Sequence, residues 1–183
     1  MRRLMVCCVA VVLSGCSAGW QQAGGPYSDP VLNLDVDVPQ GWYQIAAPRG
    51  SIVLTKNGVS IDTITVSRDL LDQKLPNTSQ RFQANMSPAR ATDVDVSNHQ
   101  FAPGITGFQE VERGAATIDG YPCYHYTYTY IETSGEPRTV KDYGCIIDPC
   151  IYHFHYTAPS QKWFQESLPT FDAFVSSTRF HIP

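Results

Sequence analysis

From Cys123 to Ile131 the chain reads Cys-Tyr-His-Tyr-Thr-Tyr-Thr-Tyr-Ile. In an extended chain, Tyr124, Tyr126, Tyr128 and Tyr130 share one face, and Cys123, His125, Thr127 and Thr129 share the other. A helix cannot sort residues that alternate singly. The segment is therefore a strand with one aromatic face, and that face needs another layer to cover it.

The same period recurs along the chain. Leu34, Val36 and Val38 alternate with Asn33, Asp35 and Asp37. Pro39-Gln40-Gly41-Trp42 turns into a short strand, Tyr43 to Ala46. Ser51 to Thr55 and Val59 to Val66 follow as strands joined at Lys56-Asn57-Gly58, where Asn-Gly accepts the positive φ of a tight hairpin. Phe108 to Ile118 is a strand ending at a second such signal, Asp119-Gly120. After the tyrosine strand come Arg138 to Ile147 and Cys150 to Thr157. The latter sets Tyr152, Phe154 and Tyr156 on one face and His153 and His155 on the other.

Helical spacing is expected in two places. Around Leu70 to Met86, Thr78 or Ser79 can cap a helix with Phe82 and Met86 on one face. Residues 87–107 are polar and rich in turn formers, and read as a long loop. Near the C-terminus, Trp163, Phe164, Leu168, Phe171, Phe174 and Val175 recur at three- and four-residue steps. Pro169 interrupts them, which predicts two short helices or a kink. Arg179 to Ile182 closes the chain as an extended segment. The pattern is that of an α+β domain. An antiparallel meander presents its aromatic face to the C-terminal helix, and a shorter inserted helix lies elsewhere.

The N-terminus reads differently. Arg2 and Arg3 precede an apolar run, Leu4 to Leu13, too short for the roughly 20 residues that span a bilayer. The run ends in Leu13-Ser14-Gly15-Cys16, the layout of a bacterial lipoprotein signal peptide. Residues 1–15 are expected to be cleaved and Cys16 acylated, with residues 16–30 a flexible tether and residues 31–183 one domain. Removing 15 of 183 residues leaves 168, enough for a sizeable core. Each buried acyl CH₂ contributes roughly 0.8 kcal/mol, so two or three chains give stable attachment. The lipid bilayer is thus one expected partner and an envelope protein the other, on the non-cytoplasmic side. Ser17, where an aspartate would favour inner-membrane retention, points to the periplasmic leaflet of the outer membrane in a bacterium with two membranes. The net charge of −4, with no basic stripe, argues against nucleic acid.

Cys7 and Cys8 leave with the signal. Cys123, Cys145 and Cys150 remain in an oxidising compartment, enough for one disulfide and one leftover thiol. Cys145 and Cys150 flank Ile146-Ile147-Asp148-Pro149, read as a four-residue hairpin loop, and are the favoured pair. Cys123 with Cys145 is the rival, available if the Thr133-Ser134-Gly135 turn sets the register.

Two constellations could bind something. His125, His153 and His155 could meet on the polar face of the meander and hold zinc or copper, and otherwise they are polar residues on a wet sheet face. Tyr124, Tyr126, Tyr128, Tyr152 and Tyr156 could line a ligand groove, or pack as core with their hydroxyls at the edge. The sequence has no Gly-x-Ser-x-Gly elbow and no phosphate-binding glycine loop, and nothing in it calls for a cofactor. An enzyme is not expected.

The order of elements resembles the PsbP-like family, which includes a photosystem II extrinsic subunit, a Ran-binding nuclear transport factor and many small bacterial lipoproteins. The likeness is carried by Pro39-x-Gly41-Trp42 after the first strand, a helical insertion before a long loop, and Ile118-Asp119-Gly120-Tyr121-Pro122 leading into the aromatic strand. It continues in Tyr152-His153-Phe154-His155-Tyr156-Thr157-Ala158-Pro159 and in Phe171-x-x-Phe174-Val175-x-Ser177-x-x-Phe180. It spans about Asp35 to Phe180. Cys145 and Cys150 stand outside that pattern. The resemblance implies a non-enzymatic domain that supports assemblies or binds partners, and it names no partner.

Overall fold

The computed structural model describes residues 20–182. The signal peptide, Cys16 and the start of the expected tether lie outside those residues. Among the described residues nine strands form one antiparallel sheet: β1 (Trp20–Asp29), β2 (Leu34–Ile45), β3 (Ser51–Thr55), β4 (Thr63–Leu70), β5 (Thr106–Ile118), β6 (Tyr121–Ile131), β7 (Pro137–Ile147), β8 (Cys150–Pro159) and β9 (Arg179–Phe180). Two helices, α1 (Pro88–Gln100) and α2 (Lys162–Ser176), complete the α+β fold. The strand order is β1-β2-β3-β4-β8-β7-β6-β5, with β9 pairing β2. The first four strands are laid down in sequence. The chain then crosses to the far edge and returns as β5 to β8, so that β8 closes against β4.

Both sheet faces are covered, each by one helix. On one face Leu34, Val36, Trp42, Tyr152, Phe154 and Tyr156 pack under Phe164, Phe171 and Phe174 of α2. On the other, Tyr124, Tyr126, Tyr128, Val140 and Ile151 pack with Ala91, Val94 and Val96 of α1 and with Phe82. The tyrosine row was expected beneath the C-terminal helix, and it lies beneath α1 instead. It is the aromatic face of β8 that meets α2. Both strands alternate, but the register puts Tyr124 level with Gly144 and His153, and Cys123 level with Cys145 and Tyr152. That parity turns β6 tyrosines and β8 aromatics to opposite sides of the sheet.

The inserted helix also differs in position. It spans Pro88–Gln100, within the expected loop, while the expected helix region Leu70 to Met86 leaves β4 and continues without helix. Ser87 is the N-cap, its side chain accepting from Arg90 N, and Pro88 opens the first turn. The buried face of α1 includes Thr92, Asp95 and Asn98, so apolar periodicity could not reveal it.

Three other expectations are corrected. The segment from Trp20 to Asp29 is a strand along the whole of β2, rather than tether. The turn after β3 runs to Asp62, whose buried carboxylate accepts from Lys56 N, Asn57 N and the Thr55 hydroxyl, so β4 starts at Thr63 rather than Val59. The C-terminal helix passes through Pro169 as one element, held on both sides of the proline by Phe164, Phe171 and Phe174. The Asp119-Gly120 hairpin is as expected, with φ values of 50° and 82°.

The disulfide joins Cys123 and Cys145, not the favoured Cys145 and Cys150. Ile147 pairs with Cys150 across a two-residue loop, which puts Cys145 opposite Tyr152 and two rungs away from Cys150. Such diagonal neighbours stand about 7–8 Å apart. Cys123 is directly opposite Cys145, with Cα atoms 4.4 Å apart, inside disulfide range. Cys150 is a buried free thiol.

Candidate functional site

Beneath and beside α1, the sheet opens into a cleft of ≈ 420 Å³. Its floor is β7 and β8, one wall is β4, and the other is α1 with the chain after β4. Rows across the sheet decide what enters it. Tyr126, Asp142 and His155 lie in one row, and Tyr124, Gly144 and His153 in the next, all on the α1 face. Onto these rows α1 lowers Asp95 and His99, one turn apart. Gly144 is essential to the arrangement. A Cβ there would sit 2.1 Å from the Tyr124 ring, so only glycine lets that ring lie across β7.

The result is two buried carboxylates among three imidazoles. Asp95 and Asp142 are each 2% exposed. Asp95 Oδ2 accepts from the Tyr124 hydroxyl at 2.7 Å and lies 3.6 Å from His153 Nδ1. Asp95 Oδ1 lies 3.5 Å from His99 Nδ1. Asp142 Oδ1 is 2.7 Å from His155 Nδ1, whereas its buried Oδ2 has no hydrogen-bond partner. The Tyr126 hydroxyl is 2.7 Å from His99 Nδ1, and the His99 and His155 rings stack with centroids 6.0 Å apart.

Charge in the cleft follows from these contacts. Burial pushes the Asp95 carboxyl up, but His153, His99 and the Tyr124 hydroxyl together hold it well below the usual carboxylate range. Burial pushes His153 down, and Asp95, with Asp142 and Asp69 behind it, outweighs that and raises it. His155 is raised against burial in the same way, chiefly by Asp142. Burial, followed by the same carboxylates, pushes Tyr124 and Tyr126 far above the ordinary phenol, so their hydroxyls stay protonated, and that of Tyr124 donates to Asp95.

The expected histidine set is thus split. His153 and His155 share the cleft, as alternation implied. His125 is level with Tyr143 and Phe154, so it points to the α2 face, where burial and Lys141 lower its pKa. His99 takes its place. The helix that carries it has too polar a buried face to be read from periodicity, although the Ser87-Pro88 start was a usable signal. The five tyrosines likewise do not line one groove. Tyr124, Tyr126 and Tyr128 form the α1-side core, and Tyr152 and Tyr156 the α2-side core. Two of them still reach the site through their hydroxyls.

No protein-family model matches the sequence, and no curated protein matches it by sequence. Solved structures do match. Cyanobacterial PsbP (CyanoP) from Synechocystis sp. PCC 6803 is 14% identical with a TM-score of 0.59, over 96% of this chain and 98% of that one. The Saccharomyces cerevisiae Ran-binding protein Mog1p is 9% identical with a TM-score of 0.58, over 88% and 97%. LpqN of Mycobacterium tuberculosis, described as involved in cell envelope biogenesis, is 21% identical with a TM-score of 0.50, over 85% and 83%. Against a further match, from Bacteroides thetaiotaomicron, the chain spans 49% of that protein's length. The chain has a PsbP-like fold. Among the described residues no helix is long and apolar enough to cross a membrane.

Proposed function

We propose that this protein is a cell-envelope lipoprotein whose domain is a non-enzymatic binding module, held to the bilayer through acylated Cys16 and engaging its partner through the cleft beneath α1. The observation that carries the reading is that cleft. Two buried carboxylates, three imidazoles and two phenols converge on a concavity that the fold leaves open, at a considerable desolvation cost. Leu13-Ser14-Gly15-Cys16 supports the anchor. Resemblance in fold to a Ran-binding protein, a cyanobacterial PsbP and a protein involved in envelope biogenesis supports an accessory role. In a bacterium with two membranes, Ser17 favours the outer one.

A photo-crosslinking residue at Lys74, on the cleft rim, is compared in intact envelopes with one at Lys162 on the α2 side. A discrete adduct from Lys74 and none from Lys162 is expected. Adducts from neither, or equal adducts from both, would overturn cleft-mediated recognition. Mass spectrometry of the mature N-terminus tests the anchor, with Cys16→Ala released from the membrane fraction. An unmodified Cys16 in the wild type would refute it.

A further inference from the structure

We infer that His99, Asp142 and His155 form a zinc site on the floor of the cleft. The inference rests on reading the cleft as the binding surface and gives it a chemistry. One ligand-capable atom from each of the three residues lies within 4.8 Å of the other two. A tetrahedral zinc with bonds of 2.0–2.1 Å separates its ligand atoms by about 3.4 Å, so modest side-chain rotations close the set. The three come from separate elements that the fold holds together: α1, β7 and β8.

Two independent features point to a cation. The first is Asp142 Oδ2. This oxygen has no hydrogen-bond partner and belongs to a side chain that lines the cleft and is 3% exposed. A buried carboxylate oxygen left unpaired is costly, and a metal ion is the partner that would satisfy it. The second is the support behind the imidazoles. The Nδ1 edge of His99 is held by the Tyr126 hydroxyl at 2.7 Å and the Asp95 carbonyl at 3.2 Å. Oxygen partners of this kind orient a metal-bound histidine that coordinates through its other nitrogen. His99 and His155 also stack rather than splay, which brings both rings to one point.

The donor set selects the metal class. Two imidazoles and one carboxylate suit zinc and other late first-row ions, not calcium or magnesium, which take oxygen ligands. Three protein ligands leave a fourth position open to the cleft, where a ligand group of the partner or a water could bind. Asp95 and His153 line the same cleft.

The full-length chain, solubilised in detergent and stripped with chelator, is titrated with Zn²⁺ and followed by calorimetry and by metal content after desalting. One equivalent is expected. His99→Ala and His155→Ala should each weaken it at least about tenfold. His125→Ala and His181→Ala, histidines away from the cleft, should leave it unchanged. His99 lies on the partly exposed side of α1, so its variant keeps the fold, and circular dichroism verifies this. Cobalt substitution should give the intense visible absorption of a tetrahedral site, lost in His99→Ala. No retained zinc in the wild type, or zinc affinity unaltered in folded His99→Ala, would overturn the assignment. So would binding of copper or nickel without zinc. These readouts need no bilayer and no protein partner. They can fail while the crosslinking and anchoring results stand, and the reverse holds too.

Discussion

The Tyr124 hydroxyl donates a 2.7 Å hydrogen bond to Asp95 Oδ2, tying the first residue of the β6 aromatic row to the helix that roofs the cleft. Both groups are buried, and Asp95 is charged. Tyr124→Phe leaves that carboxylate one donor short. A loss of about 1–3 kcal/mol is expected in denaturant unfolding. Asp95→Asn, which keeps the shape, should cost the wild type more than it costs Tyr124→Phe. Additive effects of the two would show that the bond carries no coupling energy.

Gly144→Ala is the sharpest packing test. The new Cβ would meet the Tyr124 ring at 2.1 Å, and that ring is buried with its hydroxyl tied to Asp95. We expect about 1–3 kcal/mol of destabilisation from overpacking. Tyr124→Leu should relieve much of it, so a double-mutant cycle should give strong positive coupling. Gly144→Ala stability equal to wild type would refute the close approach.

The Asp95–His153 pair makes stability depend on pH in the metal-free protein. His153 is raised above its ordinary 6.5, so its contribution is full below that value and fades as pH rises through the folded value. Asp95 is depressed below its ordinary 3.8, so its contribution is full above that value and is lost in acid. Both are at full strength together between about pH 4 and about pH 6.5, and the His153 part declines above that. The stability difference between wild type and His153→Gln should therefore be larger at about pH 5 than at about pH 9. A flat difference across that range would contradict the pairing.

The Cys123–Cys145 bond closes a loop with a sequence separation of 22. Constraint of the unfolded chain over such a loop contributes about 3 kcal/mol. Replacing both cysteines by alanine should lower the unfolding free energy by about that much. Cys150→Ala should cost less, as it removes only one buried thiol. A non-reducing digest should recover the 123–145 peptide pair. Recovery of a 145–150 peptide pair would falsify the register.

All the strands but β1 were legible, because their residues alternate or their turns carry strong signals, and β2, β3, β5 and β6 each run into a Gly-containing turn. The overall α+β class and the Asp119-Gly120 hairpin followed from that alone, whereas the Lys56-Asn57-Gly58 signal marks only the start of a longer turn that runs to Asp62. What the residues could not state was parity across the hairpins. Whether Tyr124 or Cys123 shares a face with His153 depends on the register across both the β6–β7 and β7–β8 hairpins, where a slip of one residue would exchange them. That unknown parity put His125 into the metal set, and the four-residue reading of the β7–β8 loop, two residues out of register, drew the cysteine pairing toward Cys150. The inserted helix was missed for another reason. Its buried side mixes Ala91, Val94 and Val96 with Thr92, Asp95 and Asn98, the last two of which line the cleft, so its functional cargo diluted its hydrophobic signature. His153 and His155 were found because a His-x-His step in a strand fixes a common face without any knowledge of register.

Because β1 already begins at Trp20, a lipid on Cys16 leaves only residues 17–19 between the acyl group and the first rung of the sheet. Four Cα steps reach about 14 Å even when fully stretched. The domain would then ride on the headgroups on a short leash, with its β1 edge and the half-exposed Trp20 ring facing the membrane. Whatever the cleft receives would have to come to that surface, since the domain has no slack with which to reach across an aqueous gap.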